Sequence, residues 1–518
     1  DWFEIDYRRT FDVSDDALLF ADDRPAPTGY TLTGFTNADV VLLDVTRPHS
    51  PIRLTGGQAS GAGPYAFQFE DALTGPRAYA ASAAPLRPTG FILDTPSALR
   101  DPANGADAIF ISHADFLPAL QPLTDYRAGQ GLRVKVVDVQ DIYDEFNGGV
   151  MDPAAIRDFL AYAYASWTPP APSYVLLVGE GNYDPKHYRA TTRPTYIPPY
   201  LAPVDPWVYS TPAENWFVTV SGDDDLPDMY LGRFPVGSLT QAQLMVARVL
   251  SYEQAPPAGA WQLSSLWVTD NAPDDAGDFY AISDAVLAQH LPSGYTAEKI
   301  YLGQNYPYEN PSYAAKAAII AGVSRGQLLV NYVGHSAWNY WASERLLSHT
   351  EVASLTNGAQ LPIWLAMTCW TGSFHAPNST LPSALDVELV RSPTGGAIAT
   401  FSPTGLGVAA GHDFLHRGFL DAMFGSDLTQ MGQAAVAAKL DLYTNSGQNL
   451  DLLNTFAVLG DPALRIGKGA ATPTPTATAT RTPTATPTAT QTSSVTPTAT
   501  QTSSVTPTAT HTPTATPI

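Results

Sequence analysis

Three apolar segments of the sequence end in residues that can do acyl-transfer chemistry. LLVNYVGH ends in His335, IWLAMTC ends in Cys369 and SLWVTD ends in Asp270. Cys369 is the only cysteine among the 518 residues, so it cannot form a disulfide within the chain. A thiol of pKa ~8.5 is only a few per cent thiolate at neutral pH, and a neighbouring imidazole raises that fraction. A carboxylate such as Asp270 can orient the imidazole in turn.

The segments that would position these residues alternate between strand and helix. Helical patterns cover 152–167, 240–254, 278–291 and 429–443, and they lie between near-continuous apolar strands of the buried kind. This alternation predicts an α/β fold with a mainly parallel sheet covered by helices on both faces. Ligand sites in such sheets form beyond the carboxyl ends of the strands, so we expect His335 and Cys369 to meet at one edge.

The two ends of the chain have different compositions. Residues 1–97 contain short apolar runs separated by Gly, Pro, Asn and Asp, a rhythm that predicts a β-sandwich-like domain. From Ala471 onward the chain is rich in Thr, Pro, Ala and Ser, and QTSSVTPTAT occurs twice, at 491–500 and 501–510. Such a segment cannot bury enough apolar surface to fold. We predict a disordered stalk or linker outside the cytoplasm, with surface anchoring through this tail as one role.

Charge and hydropathy exclude several classes of partner. With 49 acidic against 27 basic residues, the net charge is −22, which repels nucleic-acid phosphates and anionic lipid surfaces. No apolar run reaches the ~18 residues that a membrane-spanning helix needs. We therefore expect no nucleic-acid partner and no membrane insertion of this chain.

Five blocks of the sequence resemble the gingipain family of cysteine peptidases. GQLLVNYVGHSAWNYWASERLLS resembles the family's histidine block, LPIWLAMTCWTGSF its cysteine block and NTFAVLGDPALRIG its closing strand. Two upstream blocks are YVLLVGEGNYDP and LPDMYLGRFPV, so the resemblance runs from about residue 104 to 467. It implies a caspase-like fold, with a smaller α/β subdomain at 98–236 and a catalytic subdomain at 237–467. The stalk predicted from composition then covers 468–518.

The resemblance also implies roles for single residues. Cys369 would be the nucleophile and His335 its proton-transfer partner, while Asp270 is the candidate for the third catalytic residue, within one or two positions. The backbone N–H groups of Cys369 and Ser336 would hold the oxyanion. The family acts on proteins or peptides and needs no cofactor for this chemistry.

Two departures from the family pattern concern the substrate site. Ser336 stands where the family has glycine directly after the histidine, and its Cβ restricts the backbone there. Tyr280 falls where arginine-cleaving members carry a pocket aspartate, so specificity for arginine is not expected. Trp338 and Trp370, close to the histidine and the cysteine, are further predicted pocket residues.

Two other clusters have metal-ligand character. Asp223, Asp225 and Asp228 in SGDDDLPD offer oxygen ligands that suit a structural Ca²⁺, but they lack EF-hand spacing and also fit a solvated turn. His412 and His416 are four residues apart, a helical metal spacing without a clear third ligand.

These features together predict a secreted or cell-surface cysteine endopeptidase of the gingipain type. Two alternatives stay open. A surface transpeptidase, sortase-like in its reaction, would form the same thioester and transfer its acyl group to an amine. A catalytically silent, stalked adhesion or binding protein would use the β-sandwich-like domain as its working surface.

Overall fold

The computed structural model describes residues 10–469, except for 24–26, 49, 73–74, 88, 91–92, 94, 189–192, 377–379 and 427. The predicted stalk lies, from residue 470 on, outside the described residues. The remainder contains two small antiparallel sheets near the N-terminus, followed by one large α/β sheet.

The N-terminal region is built from two antiparallel sheets that share one core. Strand order is β1-β7-β3-β4 in one sheet and β2-β6-β5 in the other, and Tyr79 of the first sheet packs against Tyr30 and Phe69 of the second. The strands are β1 (Ala17–Asp22), β2 (Pro27–Phe35), β3 (Val41–Asp44), β4 (Ile52–Leu54), β5 (Gln58–Ser60), β6 (Tyr65–Ala72) and β7 (Arg77–Ser82).

Fifteen strands follow in the described part of the chain, ten of them in the large sheet. They are β8 (Ala108–Ser112), β9 (Val134–Asp138), β10 (Tyr174–Val178), β11 (Leu201–Asp205), β12 (Tyr209–Pro212), β13 (Tyr230–Phe234), β14 (Ser264–Thr269), β15 (Thr296–Tyr301), β16 (Leu329–Val333), β17 (Ser336–Ala337), β18 (Tyr340–Trp341), β19 (Leu347–Ser348), β20 (Ile363–Met367), β21 (Ala399–Pro403) and β22 (Phe456–Leu459).

The large sheet has the order β15-β14-β16-β20-β21-β22-β13-β10-β8-β9. Every neighbouring pair is parallel except β21 and β22, which are antiparallel. The sheet therefore consists of two parallel halves that run in opposite directions. Strands from 98–236 and from 237–467 form this one continuous sheet, and the residue limits of the two subdomains stay predictions.

Helices flank the sheet, and their ends follow local sequence signals. Asp138 and Asp152 each accept a backbone N–H as N-cap residues, and Gly148 ends one helix in the left-handed conformation with φ 61°. The helices are α1 (Leu117–Gly129), α2 (Val139–Asn147), α3 (Pro153–Ser166), α4 (Leu239–Gln254), α5 (Phe279–His290), α6 (Tyr313–Ser324), α7 (Leu385–Arg391), α8 (Ala409–Leu420), α9 (Met431–Asp441) and α10 (Asp451–Thr455).

Both faces of the sheet are buried. Phe110 and Leu176 point into one apolar core, while their neighbours Ile109 and Val175 point into a second core on the opposite face. Period-two alternation in fully buried strands produces this arrangement. The predicted fold class is thereby confirmed. In the ranges that the structure describes, no helix combines the length and apolarity needed to cross a membrane.

A buried ion-pair network connects helices α1 and α4 to the segment that follows β22. Arg127 on α1 is fully buried and donates to Asp461, which follows β22, at 2.6 Å and to Glu253 on α4 at 2.7 Å. Burial lowers the pKa of Arg127, but the carboxylates of Asp461 and Glu253 raise it by more, so the guanidinium stays charged. Removing this cation would leave two buried carboxylates without compensation.

We predict that Arg127→Met lowers the free energy of unfolding by roughly 3–5 kcal/mol, the cost of breaking one partner out of a buried ion pair. Chemical denaturation measures this as a lower midpoint. Lys299→Met is the matched control, because Lys299 pairs with Asp284 at 2.7 Å while both side chains are about two-fifths exposed. Its expected cost is about 1 kcal/mol or less. Equal midpoints for the two variants would contradict the prediction.

Candidate active site

Four neighbouring parallel strands bring their carboxyl ends to one edge of the sheet. The order β14-β16-β20-β21 places Asp270, His335, Cys369 and Gly407 beyond successive strand ends. The register aligns Val333 with Met367 at the last paired position of β16 and β20. His335 and Cys369 each follow that pair by two residues, and both line the same cavity.

The Cys369 thiol is half-buried. Its sulfur lies 3.7 Å from the carbonyl oxygen of Gly407, to which the S–H donates a weak hydrogen bond. Burial raises the pKa of the Cys369 thiol, because the thiolate is more costly to desolvate than the neutral thiol. The sulfur is therefore protonated at rest near neutral pH, and nucleophilic attack requires a base.

The His335 imidazole supplies a base with an oriented ring. Its Nε2 lies 2.7 Å from Oδ2 of Asp274, and the ring meets the edge of Phe279 with centroids 5.4 Å apart. The His335 side chain is 53% exposed, so water reaches the ring. A carboxylate on one ring nitrogen fixes the tautomer and leaves the other nitrogen for proton exchange.

Asp270 takes a different position from the one predicted. Its carboxylate is buried and accepts the backbone N–H of His335 at 3.2 Å and that of Asn271 at 2.8 Å. Burial raises the pKa of Asp270 to about 6, although these hydrogen bonds lower it. Asp270 therefore holds the backbone at His335, while the carboxylate that contacts the imidazole is that of Asp274, four residues later. A catalytic role for Asp270 stays a prediction.

The Ser336 hydroxyl contacts the backbone N–H of Cys369, one of the two predicted oxyanion donors. The backbone N–H of Cys369 donates to Ser336 Oγ at 3.2 Å, and the same hydroxyl donates to the Cys369 carbonyl oxygen. The Thr368 hydroxyl lies 2.8 Å from Ser336 Oγ and holds it in place. The serine side chain thus engages the Cys369 N–H, a contact that a glycine at position 336 could not make.

The cavity shared by the two reactive residues has a volume of about 380 Å³ and mostly apolar walls. Phe279 lines it, but Tyr280 does not. The Tyr280 phenol donates to the carbonyl of Leu302, and its ring stacks on Tyr301 at 5.8 Å. Phe279 and Tyr280 lie on different faces of α5, so Tyr280 lies outside this cavity, and a role for it in the substrate pocket stays a prediction.

Two further cavity residues were not predicted as parts of the site. Trp207, between β11 and β12, reaches the cavity, and so does His412 on the first turn of α8. The sequence singles out this histidine only for its spacing from His416. An apolar strand followed by SPTGLGVAAGHDF contains a strand-end loop and a new helix, which is the one sequence signal that places His412 near this edge.

Trp338 and Trp370, the other predicted pocket residues, line a second cavity of about 420 Å³. Val208 also lines this second cavity, next in sequence to the Trp207 of the first cavity. Adjacent residues of the β11–β12 turn thus line different cavities. His375 lies in the second cavity and not beside Cys369.

The acidic segment 223–228 closes a turn. Asp228 accepts the backbone N–H groups of Val220 and Ser221 at 2.7 and 2.8 Å, and Asp224 accepts that of Leu226 at 3.0 Å. Among the described residues no group of three His, Cys, Asp or Glu side chains is arranged to hold a metal ion. Calcium binding at Asp223, Asp225 and Asp228 stays a prediction.

Sequence comparison relates the chain to known peptidases. Over 364 aligned residues it is 25% identical to gingipain R2 and to gingipain R1 of Porphyromonas gingivalis. The alignment covers 67% of this chain but 44% of gingipain R2 and 33% of gingipain R1. The chain therefore spans less than half of the length of the curated relatives it matches.

Structure comparison gives the same fold. The crystal structure of the Arg-specific cysteine proteinase gingipain R has a TM-score of 0.57 at 20% identity, covering 71% of this chain and 80% of that one. The complex of the Porphyromonas gingivalis RgpB pro- and mature domains has a TM-score of 0.56 at 21% identity, covering 70% and 80%. Residues 101–467 match the model of peptidase family C25. Since this match covers more than two thirds of the sequence and the fold agrees, the chain belongs to peptidase family C25.

Proposed function

We propose that this protein is a cysteine endopeptidase that cleaves peptide bonds through a thioester on Cys369. The observation that carries the proposal is that Cys369 and His335 line one cavity at the ends of adjacent parallel strands, with Asp274 bound to the imidazole. A nucleophile, a base and a group that orients the base are the parts that covalent acyl transfer needs.

The proposed reaction starts from a neutral thiol and a neutral imidazole. His335 takes the proton of the Cys369 thiol as the sulfur attacks the peptide carbonyl, and Asp274 stabilises the imidazolium. The imidazolium then protonates the leaving amine, and the C–N bond breaks, so that the acyl group remains on Cys369 as a thioester. Water, deprotonated by the same imidazole, releases the carboxylic acid and restores the thiol. No metal or organic cofactor takes part in these steps.

Stabilising the oxyanion requires that the hydrogen bond between the Cys369 N–H and Ser336 Oγ breaks. The Cys369 N–H can donate to the developing oxygen only after it leaves Ser336 Oγ, because one N–H makes one good hydrogen bond. A preorganised donor of this kind is worth about 3–4 kcal/mol in the transition state. When the Cys369 N–H donates to the substrate oxyanion in place of Ser336 Oγ, the new hydrogen bond compensates for the lost one and is stronger because it is charge-assisted.

The proposed place of action is outside the cytoplasm, on protein or peptide substrates. It is supported by the Thr/Pro-rich composition from Ala471 onward, which suits a stalk that carries glycans or attaches a domain to a surface. The acidic net charge of −22 is compatible with a soluble or surface-exposed peptidase domain.

We predict that Cys369→Ala abolishes peptide hydrolysis and that His335→Ala lowers kcat by roughly 10²- to 10⁴-fold, the range for loss of a general acid–base group. Both are measured with a peptide library and the purified protein. Because Cys369 is the only thiol, a peptide-based alkylating probe should label the parent protein once and the alanine variant not at all.

Three outcomes separate the proposal from its alternatives. Hydrolysis that survives in Cys369→Ala would rule out the thioester mechanism. Coupled product in the presence of an added amine would identify a transpeptidase. A folded protein whose Cys369 resists the probe would identify a silent binding protein, an alternative that the Ser336 contact with the Cys369 N–H favours.

Asp274→Asn and Asp270→Asn test which carboxylate assists His335. We expect Asp274→Asn to lower kcat by about tenfold, since a hydrogen bond to a charged group contributes about 1.5 kcal/mol. Asp270→Asn keeps a carbonyl oxygen for the His335 backbone N–H and should have the smaller effect on kcat. If Asp270→Asn proves the more damaging change, Asp270 has the role that the sequence suggested.

Ser336→Gly tests whether the serine hydroxyl competes with the oxyanion. We expect kcat/KM to rise by roughly 3- to 10-fold, the equivalent of one neutral hydrogen bond that no longer has to be displaced. Ser336→Ala should also raise it, since alanine lacks the hydroxyl but keeps the Cβ, whereas Ser336→Thr should not. A decrease in Ser336→Ala would show that the hydroxyl assists catalysis instead.

A further inference from the structure

The walls of the cavity beside Cys369 define the side chain that fits there. Phe279, Met367 and Val408 provide large apolar surface, and Ala409 and Ala410 provide small apolar surface between them. A cavity of about 380 Å³ lies within the size range of small-molecule binding sites, so it has room for a large side chain. Because desolvation is favourable for apolar groups, the body of the bound side chain is apolar.

One polar group in this wall has no partner. His412 is 4% exposed, and its Nε2 makes no hydrogen bond to any described residue. Burial lowers the pKa of His412 to about 3, so the ring is neutral. A buried polar atom without a hydrogen bond is costly, and a ligand that bonds to it recovers that cost.

His412 also lies close to the reacting sulfur. A Cβ placed on Gly407 would be 2.5 Å from His412 Nε2, so the ring packs directly against Gly407. The carbonyl of Gly407 is the group that accepts the Cys369 S–H. A side chain that reaches His412 therefore belongs to a residue next to the bond that Cys369 attacks.

The charges around the cavity disfavour a cation. Asp275 carries the one carboxylate among the described residues that line it, and this residue is exposed to water. Asp274 is engaged with the His335 imidazole. The buried carboxylate of Asp205 acts on Cys369, but it does not line the cavity and already accepts the backbone N–H groups of Trp207, Val208 and Leu406. An arginine or lysine inserted here would face a neutral His412 and apolar walls with no carboxylate buried among the described lining residues, an arrangement that costs free energy.

We infer that this cavity binds the side chain that precedes the cleaved bond, that tyrosine is the preferred residue, and that His412 determines the preference by hydrogen bonding to the phenol. The inference rests on the proposed peptidase function. Tyrosine combines an aromatic body with one polar end. Its hydroxyl both donates and accepts, so it satisfies either neutral tautomer of His412.

The test uses fluorogenic peptides that are identical except for tyrosine, phenylalanine, leucine or arginine before the cleaved bond. With the full chain we expect kcat/KM for tyrosine to exceed that for phenylalanine by roughly 3- to 10-fold, the effect of one hydrogen bond. For the arginine peptide we expect kcat/KM to be lower than for the phenylalanine peptide by about tenfold or more.

Substitutions at position 412 should change the ratio between tyrosine and phenylalanine. His412→Leu removes the polar atom, so the ratio should fall to about one or below. His412→Gln keeps a hydrogen-bonding end and should retain a ratio above one. His416→Leu is the matched control: His416 is one helical turn further along, fully buried beside Trp267, and does not line the cavity, so the ratio should equal that of the parent protein.

Binding measurements distinguish this inference from the peptidase proposal. In Cys369→Ala, calorimetry with product peptides that end in tyrosine or phenylalanine should show the same preference without turnover. Turnover with no preference for tyrosine overturns the inference, and so does a preference for arginine that Asp275→Asn removes. Preferential binding of the tyrosine peptide with no turnover by the parent protein supports the inference and refutes the proposed function. Absence of both turnover and binding refutes both.

Discussion

The register of β16 against β20 is the constraint on which the site depends. With Val333 opposite Met367, the segments Gly334–Ser336 and Thr368–Cys369 leave the sheet together. A slip of one residue would turn the side chains of one strand to the other face and separate Ser336 from Cys369. The packing at Gly334 resists such a slip, because a Cβ there would lie 2.4 Å from the Cβ of Asp270. The pairing of these strands therefore fixes the backbone positions of His335, Ser336 and Cys369, whatever rotamers their side chains adopt.

Much of the fold could be predicted because the inner strands are apolar on both faces. β10, β16 and β20 are buried at every position, and short apolar runs of this kind are typical of strands inside a covered parallel sheet. The edge strand β15, TAEKIY, escapes prediction because Thr296, Glu298 and Lys299 leave it without a continuous apolar run. α1 escapes it because Pro122 lies inside the helix. The reversal of strand direction at β22 could not be predicted, since four apolar residues do not reveal which neighbour they pair with.

The sequence predicts which strands carry the site residues, but it does not predict how the loops place their side chains. His335 and Cys369 follow apolar runs directly, so their shared edge follows from the parallel topology. The choice between Asp270 and Asp274 depends on the path of the loop after β14, and the choice between Phe279 and Tyr280 depends on the rotation of α5. One sequence signal, its place after an apolar strand and a loop, puts His412 near this edge, but whether it lines the cavity depends on where β21 ends and α8 begins. Distances in loops come from tertiary packing, which short sequence patterns do not encode.

The burial of Cys369 has a consequence beyond peptide chemistry. Peroxides, like carbonyl carbons, react with the thiolate and hardly at all with the protonated thiol. Since burial raises the pKa of this sulfur, its conversion to sulfenic acid is slowed while the cavity is empty. Burial thus slows the oxidation of the single cysteine in the chain, and under the proposed mechanism this thiol becomes reactive only when a base takes its proton.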